Sequence, residues 1–275
     1  MKWVKTALWA CLLVVVAGCG NSGSGEQVQV GQAEPGRVSE PEPCTLVMGY
    51  DPWEPYQYEI AGGHVFGLDV DLLTLVSSHV GCDIAFERGT WRELLNQIRE
   101  GDIDMLAGAT RTPEREEFAW FTGTYRNEEF NFYVAVSGSE QYEDKGLEEL
   151  LEDGVRVGVI DSYLYGDPVS ALQDDPRFSE QFAYASIAEI NIERLLDGEV
   201  DGIIEDKYVG ASIIRHRSLQ DFIVPHAMSL GQTGVSIMVS RASVNAARFA
   251  QIEEAVKKLK AEGAMDKVLV QYQNP

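Results

Sequence analysis

The sequence predicts an α/β fold built as two similar lobes, and three observations carry that expectation. Short β-type apolar runs alternate with amphipathic stretches of helical period, the mark of parallel α/β architecture. A helix end, a capping glycine and a strand start occur at Gly101 (IREGDIDM) and again at Gly198 (LLDGEVDG). About 230 residues follow the N-terminal segments, enough for one large domain or two small lobes. Coincidence is the competing explanation of the echo, because a glycine-capped helix before a strand is common.

In chain order, 46–50 reads as a strand. A helix over 70–80 follows, with Asp69 as its N-cap after Gly67. Then come strand 84–87, helix 91–99 and strand 103–107. The second group has helix 147–152, strand 155–160, a helix through 163–172, strand 181–185, helix 187–197, strand 202–205 and helix 207–216. A strand pattern returns at 235–239, with amphipathic helices at 243–260 and 263–272.

Residues 101–115, GDIDMLAGATRTPER, are the most informative stretch. An apolar strand ends in small residues, a hydroxyl-rich turn follows, and a helix starts with an arginine. This gathers the Gly108 main chain, the Thr110 hydroxyl and the Arg115 guanidinium past a strand's carboxyl end, where open α/β sheets bind ligands. A guanidinium matches a carboxylate in two-pronged geometry, so the stretch reads as a carboxylate socket. Thr112-Pro113 is equally an ordinary helix start, with Thr at the N-cap and Pro at the first helical position; Arg115 is then a surface charge. Counting on from the two glycines places Asp206 opposite Ala109, at a strand end in lobe two. Asp206 there holds an ammonium, caps helix 207–216, or does both. A ligand bridging the lobes favours the closed form by its differential affinity.

The first eighteen residues read as an export leader. Lys2 and Lys5 precede a ten-residue apolar run, 7–16, too short for a permanent bilayer helix. Residues 16–19, VAGC, look like a lipobox, with lipidation at Cys19. The alternative is a soluble secreted protein cut nearby. Residues 20–43 are rich in Gly, Ser, Pro and Glu and read as a linker, about 80 Å long when stretched. Losing Lys2 and Lys5 takes the net charge from −22 to −24. An acidic surface argues against nucleic acid and anionic membrane as partners; its ordinary meaning is solubility or a salty habitat. Cys44 and Cys82 remain, each at the start of an apolar run. An exported context favours a Cys44–Cys82 disulfide over two buried thiols.

The chain resembles the type II periplasmic solute-binding proteins, in the polar amino-acid family that serves ABC transporters, over roughly residues 44–272. The motifs are GLDVDL from Gly67, GDID from Gly101, AGATRTPER from Ala107 to Arg115, Val157-Gly158-Val159, and VDGIIED from Val200 to Asp206. The resemblance implies two Rossmann-like lobes with mixed sheets joined by a two-strand hinge. Lobe 1 is 44–133 plus 230–275 and lobe 2 is 134–229, after leader 1–18 and lipidated linker 19–43. It implies that Arg115 pairs the α-carboxylate of an amino acid, helped by Thr110 and Gly108, and that Asp206 takes the α-ammonium. Asp51, Trp53 and Tyr56 fall where the family lines its side-chain pocket, and Trp91 at its stacking position; core packing is the plain alternative for each aromatic. Ser162 and Tyr163 stand in the turn after Val157-Gly158-Val159. There the family usually carries a Gly-Ser/Thr-Thr turn that binds the carboxylate at a helix start, and Asp161 at this point repels one unless it turns away. Arg111 stands where an apolar residue is usual.

The expected function is capture of an amino acid or similar small carboxylate and its delivery to an ABC permease. The expected protein is a monomer in the cell envelope, touching the membrane through its lipid anchor only. No cofactor, metal or catalysis is expected: His64, His79, His216 and His226 have no metal-ligand spacing, and no HExxH or GxSxG occurs. The rival readings are a dehydratase on the same fold and a sensory ligand-binding module.

Overall fold

The computed structural model describes residues 44–273; the leader, Cys19 and the linker lie outside the described residues. Strand β1 (Cys44–Tyr50) leads into a small hairpin, β2 (Tyr58–Ile60) and β3 (His64–Phe66). Helix α1 (Leu68–His79), β4 (Cys82–Arg88), α2 (Trp91–Glu100) and β5 (Met105–Ala109) complete the first βαβαβ group. A single helical turn α3 (Pro113–Glu116) and short strand β6 (Ala119–Phe121) precede the long strand β7 (Arg126–Ala135). The second group is α4 (Leu147–Glu152), β8 (Val157–Ile160), α5 (Asp167–Gln173), β9 (Phe182–Ala185), α6 (Ala188–Leu196), β10 (Gly202–Asp206) and α7 (Lys207–His216). Strands β11 (Ile223–Pro225) and β12 (Gln232–Ser240) follow, then helices α8 (Ala246–Ala261) and α9 (Ala264–Gln273).

Strand order along the sheet is β4-β1-β5-β12-β7-β10-β8-β9. The β4-β1-β5 and β10-β8-β9 ends are parallel, while β12 and β7 at the centre are antiparallel to their neighbours. Strand β7 changes partners along its length: Arg126 to Glu129 pair with β12, and Phe130 to Val134 pair with β10. The mixed α/β architecture of the sequence reading is therefore present. Ala109 and Asp206 both close their strands, as counting from Gly101 and Gly198 requires, and both glycines adopt a left-handed conformation.

Cys44 and Cys82 are register partners in the parallel β1–β4 pair and form a disulfide. Helices α1, α8 and α9 pack together on one face, over a core that includes Leu72, Leu73, Ile252 and Val256. Among the described residues, no helix is long and apolar enough to cross a membrane.

Two local expectations need correction. Asp69 is not the cap of α1; Gly67 holds that position, and Asp69 is buried in an ion pair with Arg126. Two charge-assisted bonds to a guanidinium outweigh one bond to a solvated helix end. The helix expected over 163–172 begins only at Asp167. Ser162 and Gly166 both have positive φ, and the Ile160 N–H donates to the Tyr165 hydroxyl at 2.6 Å, so 161–166 is a tight turn.

Candidate functional site

The turn after β5 is set by short-range chemistry. Thr112 caps α3, its hydroxyl accepting from the Arg115 N–H at 3.2 Å, with Pro113 in the first turn. That cap points the Arg115 side chain back toward the carboxyl end of the sheet. Its guanidinium is buried, 8% exposed. Nη1 donates to the Thr110 carbonyl at 2.9 Å, and Nη2 to the Ser162 carbonyl, in the turn after β8, at 3.0 Å. The guanidinium carbon lies 5.6 Å from the Trp91 ring centre. No carboxylate of the described residues forms an ion pair with Arg115, and burial lowers its pKa to about 10. A buried cation held only by carbonyls is a strong anion receptor.

Beside Arg115 lies a small cavity of about 30 Å³, lined by Trp53, Trp91, Gly108, Thr110, Arg115 and Tyr163 among the expected residues. Gln57, Asp69, Glu128 and Leu164 also line it. Tyr163 stands between the two tryptophans, edge-on to Trp53 and to Trp91, each at 5.8 Å. Its hydroxyl donates to Asp51 Oδ2 at 3.3 Å.

The remaining expected residues sit one layer back. Asp51 is buried, and desolvation raises its pKa to about 7. Tyr56 donates its hydroxyl to Asp206 Oδ2 at 3.2 Å. Asp206 Oδ1 accepts from the Tyr208 and Val209 N–H groups, so Asp206 caps α7. Ser162, at φ 65, contributes its carbonyl to Arg115. The Gly108 N–H does not face the cavity free; it donates to the Tyr125 hydroxyl at 2.9 Å.

Sequence reasoning missed a buried charge network beneath this layer. Arg126 donates to Asp69 in two-pronged fashion, 2.8 and 2.7 Å, and its Nη2 lies 2.9 Å from Glu128 Oε1. The Tyr125 hydroxyl donates to Asp69 at 2.7 Å. Glu205 Oε1 accepts from Trp53 Nε1 at 3.1 Å and from the Asp206 N–H at 2.9 Å. Burial raises Glu128 and Glu205 to about 8 each, and raises Asp206 as well. The region thus holds the buried acids Asp51, Asp69, Glu128, Glu205 and Asp206 against two buried arginines, Arg115 and Arg126. Gly108 is required here: its φ is 66, and a Cβ would lie 2.9 Å from Arg126 Nη2 and 3.2 Å from Glu128 Oε1.

The two residues that depart from the family pattern both pair with charges away from Arg115. Asp161 pairs with Arg92, and Arg111 pairs with Glu116 at the surface. Among the described residues, no cluster of three or more His, Cys, Asp or Glu is arranged to hold a metal.

The family model of the bacterial extracellular solute-binding proteins, family 3, matches residues 46–275. The arginine-binding extracellular protein ArtP of Bacillus subtilis is 24% identical over 97% of this chain and 96% of its own length. Among solved structures, a histidine kinase sensor domain with similarity to periplasmic binding proteins superposes with a TM-score of 0.72 at 19% identity, covering 85% of this chain and 96% of that one. An ancestral arginine-binding protein bound to arginine gives a TM-score of 0.69 at 21% identity, covering 82% of this chain and 97% of that one.

Proposed function

Because the chain belongs to the bacterial extracellular solute-binding proteins, family 3, we propose that it captures a basic amino acid between two lobes and delivers it to an ABC importer. The observation that carries this reading is the charge imbalance at the cavity: one buried arginine free of carboxylates, set against a surplus of buried acids. Arg115 takes the α-carboxylate in two-pronged geometry. Glu128, which lines the cavity, meets the α-ammonium first, and Asp206 Oδ2, which accepts only the Tyr56 hydroxyl, joins it when the lobes part. The cationic side chain lies along Trp53, Trp91 and Tyr163 toward Asp51 and Glu205, where aromatic faces and carboxylates both favour a cation. Kinship with ArtP, an arginine-binding protein, supports the same class.

The lobes of this reading are 44–133 plus 230–275 and 134–229, with the hinge in β7 and β12, and β7 changes partners between Glu129 and Phe130. A cavity of about 30 Å³ holds one water, so the solute enters by separation of the lobes about those strands and leaves into the permease the same way. The protein performs no chemical step. Export by the leader 1–18, lipidation at Cys19 and a tether through 43 place it at the envelope as a monomer.

A thermal-shift screen of the twenty amino acids tests the assignment. L-arginine, L-lysine and, as an added probe, L-ornithine raise the Tm, because a ligand that binds only the folded state stabilises it. L-glutamate and L-aspartate leave it unchanged. Stabilisation by acidic amino acids alone contradicts the reading.

A further inference from the structure

A second, larger cavity lies outside the cleft, where α7 approaches α9 beside the start of β7. Its volume is about 330 Å³, within the range of small-molecule sites. Tyr56, Tyr125, Tyr208 and Tyr272 supply aromatic walls, and Leu68 and Leu269 aliphatic ones. Its cations are Lys260 and Arg126. Lys260 Nζ donates to the Thr124 carbonyl at 2.7 Å and keeps two further donors.

Arg126 is buried, and its Nη1 has no hydrogen-bond partner. The Nε–Nη2 edge of its guanidinium is turned to Asp69, and Nη2 also meets Glu128. The Nη1 corner of a planar guanidinium then points away from those acids. Arg126 is therefore a shared wall: it lines the outer cavity, while the two carboxylates it holds line the cleft.

We propose that this outer cavity is a second ligand site for a small aromatic carboxylate, coupled to the cleft through Arg126. The carboxylate meets Lys260 and faces the buried Arg126 guanidinium, and the ring lies among the tyrosines. An anion there offsets part of the Arg126 charge that Asp69 and Glu128 feel, which leaves the cleft more attractive to a cationic solute. Coupling of this kind is reciprocal.

The test uses 4-hydroxyphenylacetate as probe, titrated by calorimetry into the whole protein. Expected is saturable binding that survives Arg115→Ala, which disables the cleft. Lys260→Met weakens it about tenfold, the loss of one charge-assisted bond. Leu269→Trp, which fills the cavity, removes it; Tyr208→Ala, at an exposed site, weakens it and guards against a folding defect in the Trp variant. Saturating probe tightens L-arginine binding, and L-arginine tightens probe binding by the same factor. No saturable binding, competition between probe and L-arginine, or indifference to all three cavity variants overturns the site. Unchanged L-arginine affinity at saturating probe overturns the coupling. Failure of L-arginine to bind with intact probe binding counts against the cleft assignment alone.

Discussion

In the proposed function, Arg115 and the acids around it set the chemistry of the cleft. Burial raises Asp51 to about 7 and Glu128 and Glu205 to about 8. A carboxyl whose folded pKa is raised stabilises the fold fully below its unfolded value, near 4, and that contribution is lost as pH rises through 7 to 8. The ligand-free protein therefore has a higher Tm at pH 5 than at pH 9, and Glu205→Gln flattens that slope; a Tm that climbs steadily from pH 5 to pH 9 contradicts the assignment. A cationic solute needs those same acids ionised, so L-arginine affinity rises across the same interval and binding releases protons, measurable as a buffer-dependent heat. Arg115 was legible because a Thr-Pro start, an arginine and a strand end sit within a few residues. Arg126 and Glu128 were not. They occupy inward positions of β7, where the charged residues alternate with the exposed Asn127 and half-buried Glu129. A strand with charges on its buried face carries no apolar period to read.

At the scale of elements, two short devices hold the site. The capping box of α2, Thr90 with Glu93, fixes the start of the helix that carries Trp91. The Thr112 cap fixes α3 and with it Arg115. Thr112→Ala is expected to cost about 1 kcal/mol of stability in urea denaturation and to weaken L-arginine binding as well, since the cap also aims the guanidinium. Gly108→Ala is more damaging, about 1–3 kcal/mol, because a side chain must adopt positive φ and push on the Arg126–Glu128 pair; an unchanged urea midpoint would sink this account of the glycine. Most helices and parallel strands were legible from period and caps. The β2–β3 hairpin and β6 are three-residue strands, too short for a pattern to declare itself. The start of α5 was misplaced because positive φ at Ser162, which no residue preference announces, keeps the chain in a turn.

Over the whole molecule, the disulfide and the crossing strands organise the fold. Cys44 and Cys82, separated by 38 residues, staple the outermost strand β4 to β1. Replacing both cysteines with alanine is expected to cost about 2–4 kcal/mol, chiefly through the unfolded chain, while L-arginine binding persists because the staple is remote from the cleft. The echo at Gly101 and Gly198 was visible in the sequence because both positions need the same left-handed conformation at a helix end. The partner change within β7 was invisible, because it is a property of what lies on either side of the strand. The proposed function rests on a buried guanidinium without a carboxylate as the receptor for the solute's own carboxylate. Isothermal titration of L-arginine into the wild type and Arg115→Ala at one pH tests it most directly. Expected are a clear heat of binding for the wild type and a loss of about 2–5 kcal/mol in the variant, roughly thirtyfold or more in Kd. Equal affinities for the two proteins would contradict it.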